Sequence, residues 1–398
     1  MAAEDLRGNE VLLEVGRVAH GGHCVARLDG RVVFVRHALP GERVRVRITE
    51  GTTASRFLRA DAVDVVRAAA GRVVPPCPFA GPGRCGGCDF QHADLATQRD
   101  LLASVVHEQL VRLAGVDREV VVEAVPEPGS AAVTGLGWRT RVTWAVDRGR
   151  TGLRKHRSHE VVPVDDCRIA DPRLPVVSDR TWAAAHVETA CSSRGDSAVL
   201  ADGSVVAGRT RLRETVNGRD FQVAAGGFWQ VHPTAAATLV DAVLSLGGPR
   251  AGERAVDLYS GVGLFTAFLA EAVGPGGRVV SVESDAAAVR CARRNLHDLP
   301  QARLVGERVD RALASAAVGE SCDLLVLDPP RVGARAPVVR AVASLTPSRV
   351  VYVACEPAAL ARDVATFAEL GYRLVDLRTF ALFPMTHHVE CVALLMPG

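Results

Sequence analysis

The run Ala255-Val-Asp-Leu-Tyr-Ser-Gly261-Val-Gly263-Leu-Phe-Thr266 decides the fold of the C-terminal part of this chain. An apolar strand pattern leads into two glycines, and a helical pattern begins at Leu264. Glycines at such a turn let the backbone approach a ligand closely. The third glycine of the dinucleotide-binding fingerprint is absent, because Thr266 stands in its place. The run predicts a strand–turn–helix unit that binds a nucleotide-like ligand.

Strand and helix patterns alternate from about residue 250 to the C-terminus. Strands are predicted at 255–259, 277–283, 323–328, 349–355, 373–380 and 389–396, and helices at 264–272, 286–296 and 357–370. The alternation predicts an α/β fold, a parallel sheet with helices on both faces. The last two strands have no helix between them. This closing hairpin favours a Rossmann-like seven-stranded sheet of the class I methyltransferase type, with its antiparallel last strand.

Acidic residues end two of these strands. Glu283 lies 20 residues after Gly263, where a carboxylate can bind a ribose diol in either NAD or S-adenosylmethionine (SAM). Asp328-Pro-Pro-Arg331 places another carboxylate at the ligand crevice. Taken alone, Glu283 is also compatible with a solvated strand end. Together with Gly261, Gly263 and the closing hairpin, these residues favour SAM over NAD.

Two reactive side chains are predicted at the mouth of the same sheet. Cys355 ends a strand and is followed by Glu356-Pro357, and Glu390 begins the last strand. Alone, such a cysteine is usually a buried core residue and such a glutamate an ordinary strand-edge charge. A nucleophilic thiol and a base that share a methyl-donor pocket are, however, what methylation at C5 of a pyrimidine requires.

The N-terminal region has a different pattern. Residues 9–66 alternate apolar and polar side chains between glycine-rich breaks, which is typical of a small β-barrel. The segments Gly21–Arg27, Val33–Arg36 and Ala38–Val44 resemble the TRAM domain, an OB-like RNA-binding barrel. We therefore expect a TRAM-like barrel at 1–68, a mostly β central region with a cysteine-rich insert at 69–226, and the catalytic domain at 227–398.

The cysteine-rich insert offers candidate metal ligands. Cys77, Cys85 and Cys88 lie within it, and Cys167 lies further along the chain. Four cysteines can hold Zn²⁺ or an iron–sulfur cluster, and the spacing does not choose between them.

Composition narrows the class of protein. A chain of 398 residues with 48% hydrophobic residues has enough length and apolar content for about two to three domains. The net charge of +2 is too small to argue for nucleic-acid binding. We see no membrane span and no secretory signal, so we expect a cytoplasmic protein without membrane contact.

The ordered motifs resemble the RNA (uracil-5-)-methyltransferase family, which forms 5-methyluridine in rRNA and tRNA. The resemblance covers essentially the whole chain. It rests on the TRAM-like barrel and on the segments Cys85–His92, Gly152–Cys167, Gly227–Pro233, Asp257–Thr266, Asp328–Arg331, Cys355–Pro357 and His388–Glu390.

The resemblance implies a role for each matched residue. Cys355 is the nucleophile that adds at C6 of uracil, and Glu390 takes the C5 proton. The implied SAM-binding residues are Gln230, Tyr259, Gly261, Gly263, Leu264, Glu283 and Asp328. The four insert cysteines are implied to hold a [4Fe-4S] cluster, although the gap from Cys77 to Cys85 is longer than the family usually has. Glu356 stands where the family usually has Asp or Asn, which puts the fine positioning of the base in doubt.

The resemblance also implies an RNA substrate and a monomeric enzyme. The barrel and the cysteine set favour 23S rRNA, with uridine 54 of tRNA as the alternative and a non-catalytic RNA-binding protein as the competing class. The expected RNA contacts are stacking aromatics and backbone cations. They are Phe90, Gln91, His92, Trp138, Arg139, Arg141, Arg154, Lys155, Phe228 and Trp229.

Overall fold

The computed structural model describes residues 4–126, 134–315 and 317–398. Its N-terminal part is a closed β-barrel with strand order β1-β2-β3-β5-β4. The strands are β1 (Glu10–Ala19), β2 (His23–Leu28), β3 (Arg31–Arg36), β4 (Arg43–Glu50) and β5 (Phe57–Arg67). Strict alternation produces this barrel: Val33, Val35 and Leu58 point inward and are at most 1% exposed, while their neighbours face outward. The expected small barrel is confirmed.

Helix α1 (Leu95–Gln109) follows the cysteine-rich insert. Asp94 caps it by accepting a hydrogen bond from the backbone N–H of Thr97 at 2.7 Å. The helix continues as a π-helical turn over Leu110–Ala114 and ends where Gly115 adopts a left-handed conformation. The predicted helix over 94–113 is present. Its last turn widens, which the apolar periodicity does not indicate.

The central region contains a sheet of order β12-β11-β10-β7-β8-β9 and a separate hairpin. The sheet strands are β7 (Arg141–Asp147), β8 (Arg150–Arg154), β9 (Val161–Pro163), β10 (His186–Cys191), β11 (Ser197–Ala201) and β12 (Ser204–Gly208). The hairpin is formed by β13 (Arg211–Val216) and β14 (Arg219–Ala224). A mostly β region is therefore confirmed for its described residues; residues 127–133 lie outside them. Strand β6 (Val122–Glu123) precedes this sheet in the chain and belongs to the C-terminal sheet.

The C-terminal part is an α/β sheet of order β17-β16-β15-β18-β19-β21-β20-β6. Its strands are β15 (Arg254–Leu258), β16 (Arg278–Val282), β17 (Ala302–Val305), β18 (Leu324–Leu327), β19 (Arg349–Ala354), β20 (Tyr372–Phe380) and β21 (Glu390–Pro397). The helices are α2 (Ala235–Gly247), α3 (Leu264–Val273), α4 (Ala286–Asn295), α5 (Val309–Ala314), α6 (Arg335–Ser344) and α7 (Pro357–Glu369). Strand β21 runs antiparallel to β19, as predicted for the closing hairpin.

The sheet differs from the prediction at one edge. The seven expected strands are present, and the short β6 adds an eighth within the described residues by pairing parallel to β20. The ion pair between Arg378 and Glu123, with atoms 2.8 Å apart, fixes this addition. Strand β17 and helices α2, α5 and α6 were not predicted individually. Among the described residues, no helix is long and apolar enough to cross a membrane.

Candidate active site

Cys355 and Glu390 lie side by side at one edge of the catalytic sheet. Strand β19 ends at Ala354, which pairs with Cys391 of β21. Because the two strands are antiparallel, the residue after Ala354 and the residue before Cys391 emerge at the same edge. These residues are Cys355, which is partly exposed, and Glu390, which is 3% exposed. The structure thus brings together the two reactive groups that the sequence places 35 residues apart.

The site disfavours the charged forms of both groups. Burial, then the charges of Glu390 and Asp328, raise the pKa of Cys355 to about 12, and the charge of Arg331 acts in the opposite direction. Burial, then the charge of Asp328, raise the pKa of Glu390 well above its usual range. A positive or proton-accepting group close to the sulfur would favour the thiolate.

The glycine-rich turn after β15 forms a ligand cradle next to this edge. Tyr259 has a φ of +62° and Gly263 a φ of +86°. A Cβ on Gly263 would lie 3.1 Å from Leu296, so the turn tolerates little side-chain volume there. The position of a Cβ on Gly261 meets open space, which leaves its backbone accessible. This geometry allows a ligand to approach the main chain.

Glu283 is fixed by the backbone rather than free in solvent. Its carboxylate accepts hydrogen bonds from the backbone N–H groups of Gly261 at 2.9 Å and of Ser284 and Asp285 at 2.6 Å. These contacts join the second strand end to the glycine turn. The interpretation of Glu283 as a simple solvated strand end does not account for them.

A cavity of about 430 Å³ opens beside Tyr259 and Glu283. Its other wall is formed by Pro330, the loop that follows and the first turn of α6 up to Val338. Pro330 of the Asp328-Pro-Pro segment therefore borders the same space as Tyr259. A cavity of this size is within the range that holds a small-molecule ligand.

Two carboxyl groups are buried deeper at this edge. Asp257 accepts a hydrogen bond from the hydroxyl of Thr266 at 2.5 Å, and its other oxygen has no partner among the described residues. Burial raises the pKa of Asp257 to about 7, and burial with the charge of Asp257 raises the pKa of Asp328 to about 7. An orphaned buried oxygen and carboxyls that ionise near neutrality are suited to a cationic or hydrogen-bonding ligand.

The remaining predicted ligand residues lie at the rim of this region. Leu264 is the first residue of α3 and is 8% exposed. Gln230 is 9% exposed in the loop that leads to α2. Both are buried, as a contact with an enclosed ligand requires.

The barrel reaches the catalytic edge at two points that the sequence did not reveal. His20, in the turn after β1, lies 2.5 Å from the carboxylate of Glu356. His387, three residues before Glu390, donates from Nδ1 to the carboxylate of Asp89 at 2.6 Å, and Asp89 also contacts Arg36 of the barrel at 3.3 Å. In the sequence, the only signal for these pairs is that a histidine can pair with an acidic residue. That signal does not identify which residues pair when they are so far apart in the chain.

Cys167 and the three insert cysteines lie close enough for their charges to affect pKa values within the set. The charges of Cys167 and Cys77 contribute to raising the pKa of Cys85 after burial, and those of Cys167 and Cys85 act in the same way on Cys88. The sulfur of Cys85 accepts the backbone N–H of Gly87 at 3.4 Å. The side-chain amide of Gln91 donates to Cys88, also at 3.4 Å. Such donors suit thiolate ligands. The described residues nevertheless contain no group of three or more side chains already arranged around a metal position.

Most of the expected base-stacking residues are buried. Phe90, His92, Trp138 and Trp229 are between 2% and 7% exposed, so they offer no open ring face to RNA. The interpretation of these four as stacking contacts is wrong for this conformation. These side chains belong to the hydrophobic core, because each lies where the insert or the catalytic loop packs against a neighbouring element. Phe228, 75% exposed, keeps an accessible ring.

Comparison with known proteins shows the family of the chain. Residues 4–63 match the TRAM domain, and residues 202–397 match the tRNA (Uracil-5-)-methyltransferase family. A Streptomyces avermitilis protein described as an uncharacterized RNA methyltransferase is 46% identical, over 98% of this chain and 99% of its own length. The chain belongs to the RNA (uracil-5-)-methyltransferase family.

Other relatives of this RNA methyltransferase are similar over their full lengths. RNA methyltransferases of Streptomyces coelicolor and Bifidobacterium longum are 47% and 41% identical, over 99% and 96% of this chain and 94% and 95% of their own lengths. The solved tRNA (uracil-54, C5)-methyltransferase of Pyrococcus abyssi, in complex with S-adenosyl-L-homocysteine, has a TM-score of 0.71 at 23% identity and covers 96% of this chain and 99% of its own. This likeness shows the fold. The chain is a SAM-dependent RNA methyltransferase with an N-terminal TRAM barrel.

Proposed function

We propose that this enzyme methylates C5 of a uridine in RNA, with Cys355 as nucleophile and Glu390 as base. The observation that carries the proposal is the pairing of these residues at the ends of β19 and β21, where the charge of Glu390 acts on the thiol of Cys355. C5 of uracil is a weak nucleophile, so a thiol that adds next to it and a base that removes its proton are both needed.

The thiol of Cys355 gives up its proton to solvent, and its sulfur bonds to C6 while the electron pair of the C5–C6 double bond moves to C5. SAM, when bound, would supply an electrophilic methyl group to C5, with the electron pair of the broken S–CH₃ bond left on the sulfur of S-adenosylhomocysteine. Glu390 takes the proton from C5, the pair of that C–H bond re-forms the double bond, and the C6–S bond breaks to return Cys355.

The proposal assigns SAM to the space beside the glycine turn. Gly261 and Gly263 let the donor approach the backbone, and Glu283 faces the ribose. Tyr259, Leu264, Gln230 and Asp328 complete the proposed contacts. Because SAM carries a sulfonium charge, its binding next to buried carboxyls favours the ionised forms of Glu390 and Cys355.

Methyl transfer from labelled SAM to RNA from cells that lack the gene tests the reaction. Wild-type protein is expected to form 5-methyluridine, and Cys355→Ala is expected to form none. Methyl transfer that survives in Cys355→Ala overturns the covalent route. RNA binding by the wild type without any methyl transfer favours the non-catalytic class instead.

We also propose 23S rRNA as the substrate, with an enzyme that acts as a monomer in the cytoplasm. The TRAM barrel together with the cysteine set supports rRNA, and ten free cysteines suit a reducing compartment. Mapping of 5-methyluridine in rRNA and tRNA from cells with and without the gene decides the substrate. A site lost from tRNA, at uridine 54 or elsewhere, would replace the rRNA assignment. We also propose that the domain boundaries lie between residues 68 and 69 and between residues 226 and 227.

The insert cysteines are proposed to hold a [4Fe-4S] cluster. Their proximity and their N–H donors support ligation, and a bound cluster would brace the insert against the barrel. Anaerobically purified protein is expected to contain about four iron and four sulfide per chain. Cys88→Ser is expected to lose both, whereas Cys322→Ser, a buried cysteine outside the set, is expected to retain them. Zinc without iron would assign the site to a structural metal instead.

A further inference from the structure

The loop over residues 330–335, which we call the cavity loop, forms one wall of the cavity beside Tyr259 and Glu283. Two of its residues have a left-handed backbone: Gly333 has a φ of +81° and Arg335 a φ of +69°. A residue with a long side chain is disfavoured in this conformation. Such a conformation persists where contacts from the surrounding structure fix it. The loop therefore depends on contacts from other elements.

Asp363 of α7 supplies these contacts from beneath the loop. It is 4% exposed, and its carboxylate accepts hydrogen bonds from the backbone N–H groups of Ala334 at 2.7 Å and of Arg335 at 3.1 Å. Ala334 is the N-cap of α6, and its side chain has no oxygen that could cap the helix. An anion is favourable at a helix N-terminus. Helix α7 thus provides the cap that α6 lacks.

Tyr352 of β19 completes this anchor. Its ring is fully buried, and its hydroxyl donates to the carboxylate of Asp363 at 2.6 Å and accepts the N–H of Ala334 at 3.1 Å. Burial, then the charge of Asp363, raise the pKa of Tyr352, so the hydroxyl remains a donor. Loss of the carboxylate would leave this hydroxyl and the N–H of Arg335 without their acceptor, and a buried donor without an acceptor is unfavourable.

The anchor lies between the cavity and the nucleophile. Tyr352 is three residues before Cys355 on the same strand, and α7, which carries Asp363, begins two residues after Cys355. On the cavity side, burial and then the charges of Asp310 and Asp363 raise the pKa of Tyr259 to about 12. The same carboxylate therefore acts on the wall of the cavity and is bonded to the strand that leads to the thiol.

We propose that Asp363 is a positioning residue for the methyl donor: with Tyr352 it holds the cavity loop in its left-handed conformation, fixed to the strand that leads to Cys355. Asp363 acts through the backbone of the loop and does not touch the donor. The inference rests on the proposed placement of SAM in this cavity and adds what keeps the cavity formed. A loop that is already ordered loses less conformational entropy when a ligand binds, so loss of the anchor should weaken donor binding.

Asp363→Asn tests the anchor, because it replaces one acceptor oxygen by a donor at nearly constant volume. Calorimetric titration with S-adenosylhomocysteine, without RNA, is expected to give a Kd about 5- to 150-fold higher than that of wild type, the usual range for coupling between two sites. Hydrogen exchange of the peptide that contains Ala334 and Arg335, measured by mass spectrometry without ligand, should become faster in the variant.

Two further variants disturb the same contact while Asp363 stays in place. In Gly333→Ala the added Cβ would lie 2.7 Å from a carboxylate oxygen of Asp363, which pushes the loop away from it. This variant should weaken S-adenosylhomocysteine binding as Asp363→Asn does. Tyr352→Phe removes only the hydroxyl, so its loss of affinity should be smaller. In the methyl-transfer assay all three should raise KM for SAM and leave KM for RNA within about twofold.

Two controls separate positioning from general stability. Asp323 precedes β18 at the end of the strand away from the cavity, and its carboxylate accepts the backbone N–H of Arg254 at 2.8 Å. Asp323→Asn should lower stability toward urea and leave both S-adenosylhomocysteine affinity and exchange of the cavity loop unchanged. Glu283→Gln, in the proposed donor site itself, should weaken binding and so shows that the titration reports on this cavity.

Unchanged affinity in Asp363→Asn and Gly333→Ala, with weakened binding in Glu283→Gln, overturns the inference and leaves the donor site in place. Equal losses of affinity in Asp363→Asn and Asp323→Asn would make Asp363 a contributor to stability alone and also overturn it. If Asp363→Asn does not fold, Gly333→Ala and Tyr352→Phe decide by the same criteria.

The proposed function fails in a different way. Unchanged affinity in every variant, Glu283→Gln included, would place the donor outside this cavity, and the inference would fail together with that placement. If the anchor variants weaken S-adenosylhomocysteine binding but wild type forms no 5-methyluridine, the proposed reaction fails while the role of Asp363 stands.

Discussion

His20 and Glu356 join the barrel to the catalytic sheet, with Nε2 and Oε1 2.5 Å apart. Glu356 follows Cys355 directly and caps helix α7. The hydrogen bond with Glu356 raises the pKa of His20. Burial works against the charged form of Glu356, yet the bond from His20 lowers its pKa. The side chain of Glu356 is thus long enough to reach the barrel from the residue next to the nucleophile.

We expect His20→Gln to lower kcat by about fivefold with little change in KM, because a partly exposed ion pair contributes up to about 1 kcal/mol. The charge on His20 is present below its raised pKa and is lost above it. The advantage of wild type over the variant should therefore shrink as pH rises through that value. Initial rates of methyl transfer across pH measure it.

Arg47→Ala is the matched control for this prediction. Arg47 belongs to β4 of the same barrel and pairs with Glu10 of β1 at 2.8 Å. Its removal should leave kcat and its pH profile unchanged. Equal losses in the two variants would mean that the barrel acts through general stability and not through Glu356.

Glu390→Gln should make Cys355 easier to ionise. Burial is the first cause of the raised pKa of Cys355, and the charge of Glu390 is the second. An ionised Glu390 opposes the thiolate, so its neutral analogue should move the alkylation profile of Cys355 to lower pH. Iodoacetamide labelling of the Cys355 peptide, followed by mass spectrometry, measures this shift.

The same variant should lose methyl transfer by about 10²- to 10⁴-fold, the usual contribution of a general base. Asp376→Asn, an exposed change on β20, should alter neither property. An unchanged alkylation profile in Glu390→Gln would show that burial alone controls the thiol.

Asp328→Asn should change how stability depends on pH. Burial, then the charge of Asp257, raise the pKa of Asp328 to about 7, whereas an aspartate in an unfolded chain titrates near about 4. Between these values the unfolded chain releases a proton that the folded protein keeps. The free energy of unfolding contributed by this group therefore falls as pH rises through that window.

Ligand-free wild type should thus lose more stability from pH 5 to pH 7 than Asp328→Asn does. Urea unfolding of both proteins at the two pH values measures these losses of stability. Subtracting the loss in the variant from that in wild type removes the contributions of other groups. If the free energy of unfolding changes equally in the two proteins, the pKa of Asp328 in the folded state is near its ordinary value.

Gly22→Ala should disturb the junction between barrel and catalytic loop. Gly22 has a φ of +76°, and an added Cβ would lie 3.0 Å from both Asp89 and His387. Gly30 has a φ of +80° with nothing within 4 Å of that position, so Gly30→Ala isolates the backbone penalty of about 1 kcal/mol. Gly22→Ala should cost about 1–3 kcal/mol more, because its neighbours must move.

Urea unfolding gives both values, and the methyl-transfer rate shows the consequence. Only Gly22→Ala should reduce kcat, since His387 lies three residues before Glu390. Identical stability and activity of the two variants would show that the junction has room for a methyl group.

Local sequence patterns were enough to predict many of the helices and strands of the catalytic domain. The predicted helix over 286–296 is observed at Ala286–Asn295, and the final strands predicted at 373–380 and 389–396 are observed at Tyr372–Phe380 and Glu390–Pro397. Strand β6 was missed because a two-residue strand carries no period and pairs with a strand about 250 residues away. Trp138 and Trp229 were misplaced on the surface because aromatic residues suit both a core and a stacking contact.

The sequence by itself determined the order of strands and helices, the glycine turn and the identities of the thiol and the carboxylate, because these depend on local periodicity and side-chain chemistry. Only the tertiary structure decided which rings are exposed, that His20 reaches Glu356, and that the pKa values of Cys355 and Glu390 are raised. Burial and the field of neighbouring charges set these properties. They arise only when segments hundreds of residues apart exclude water together.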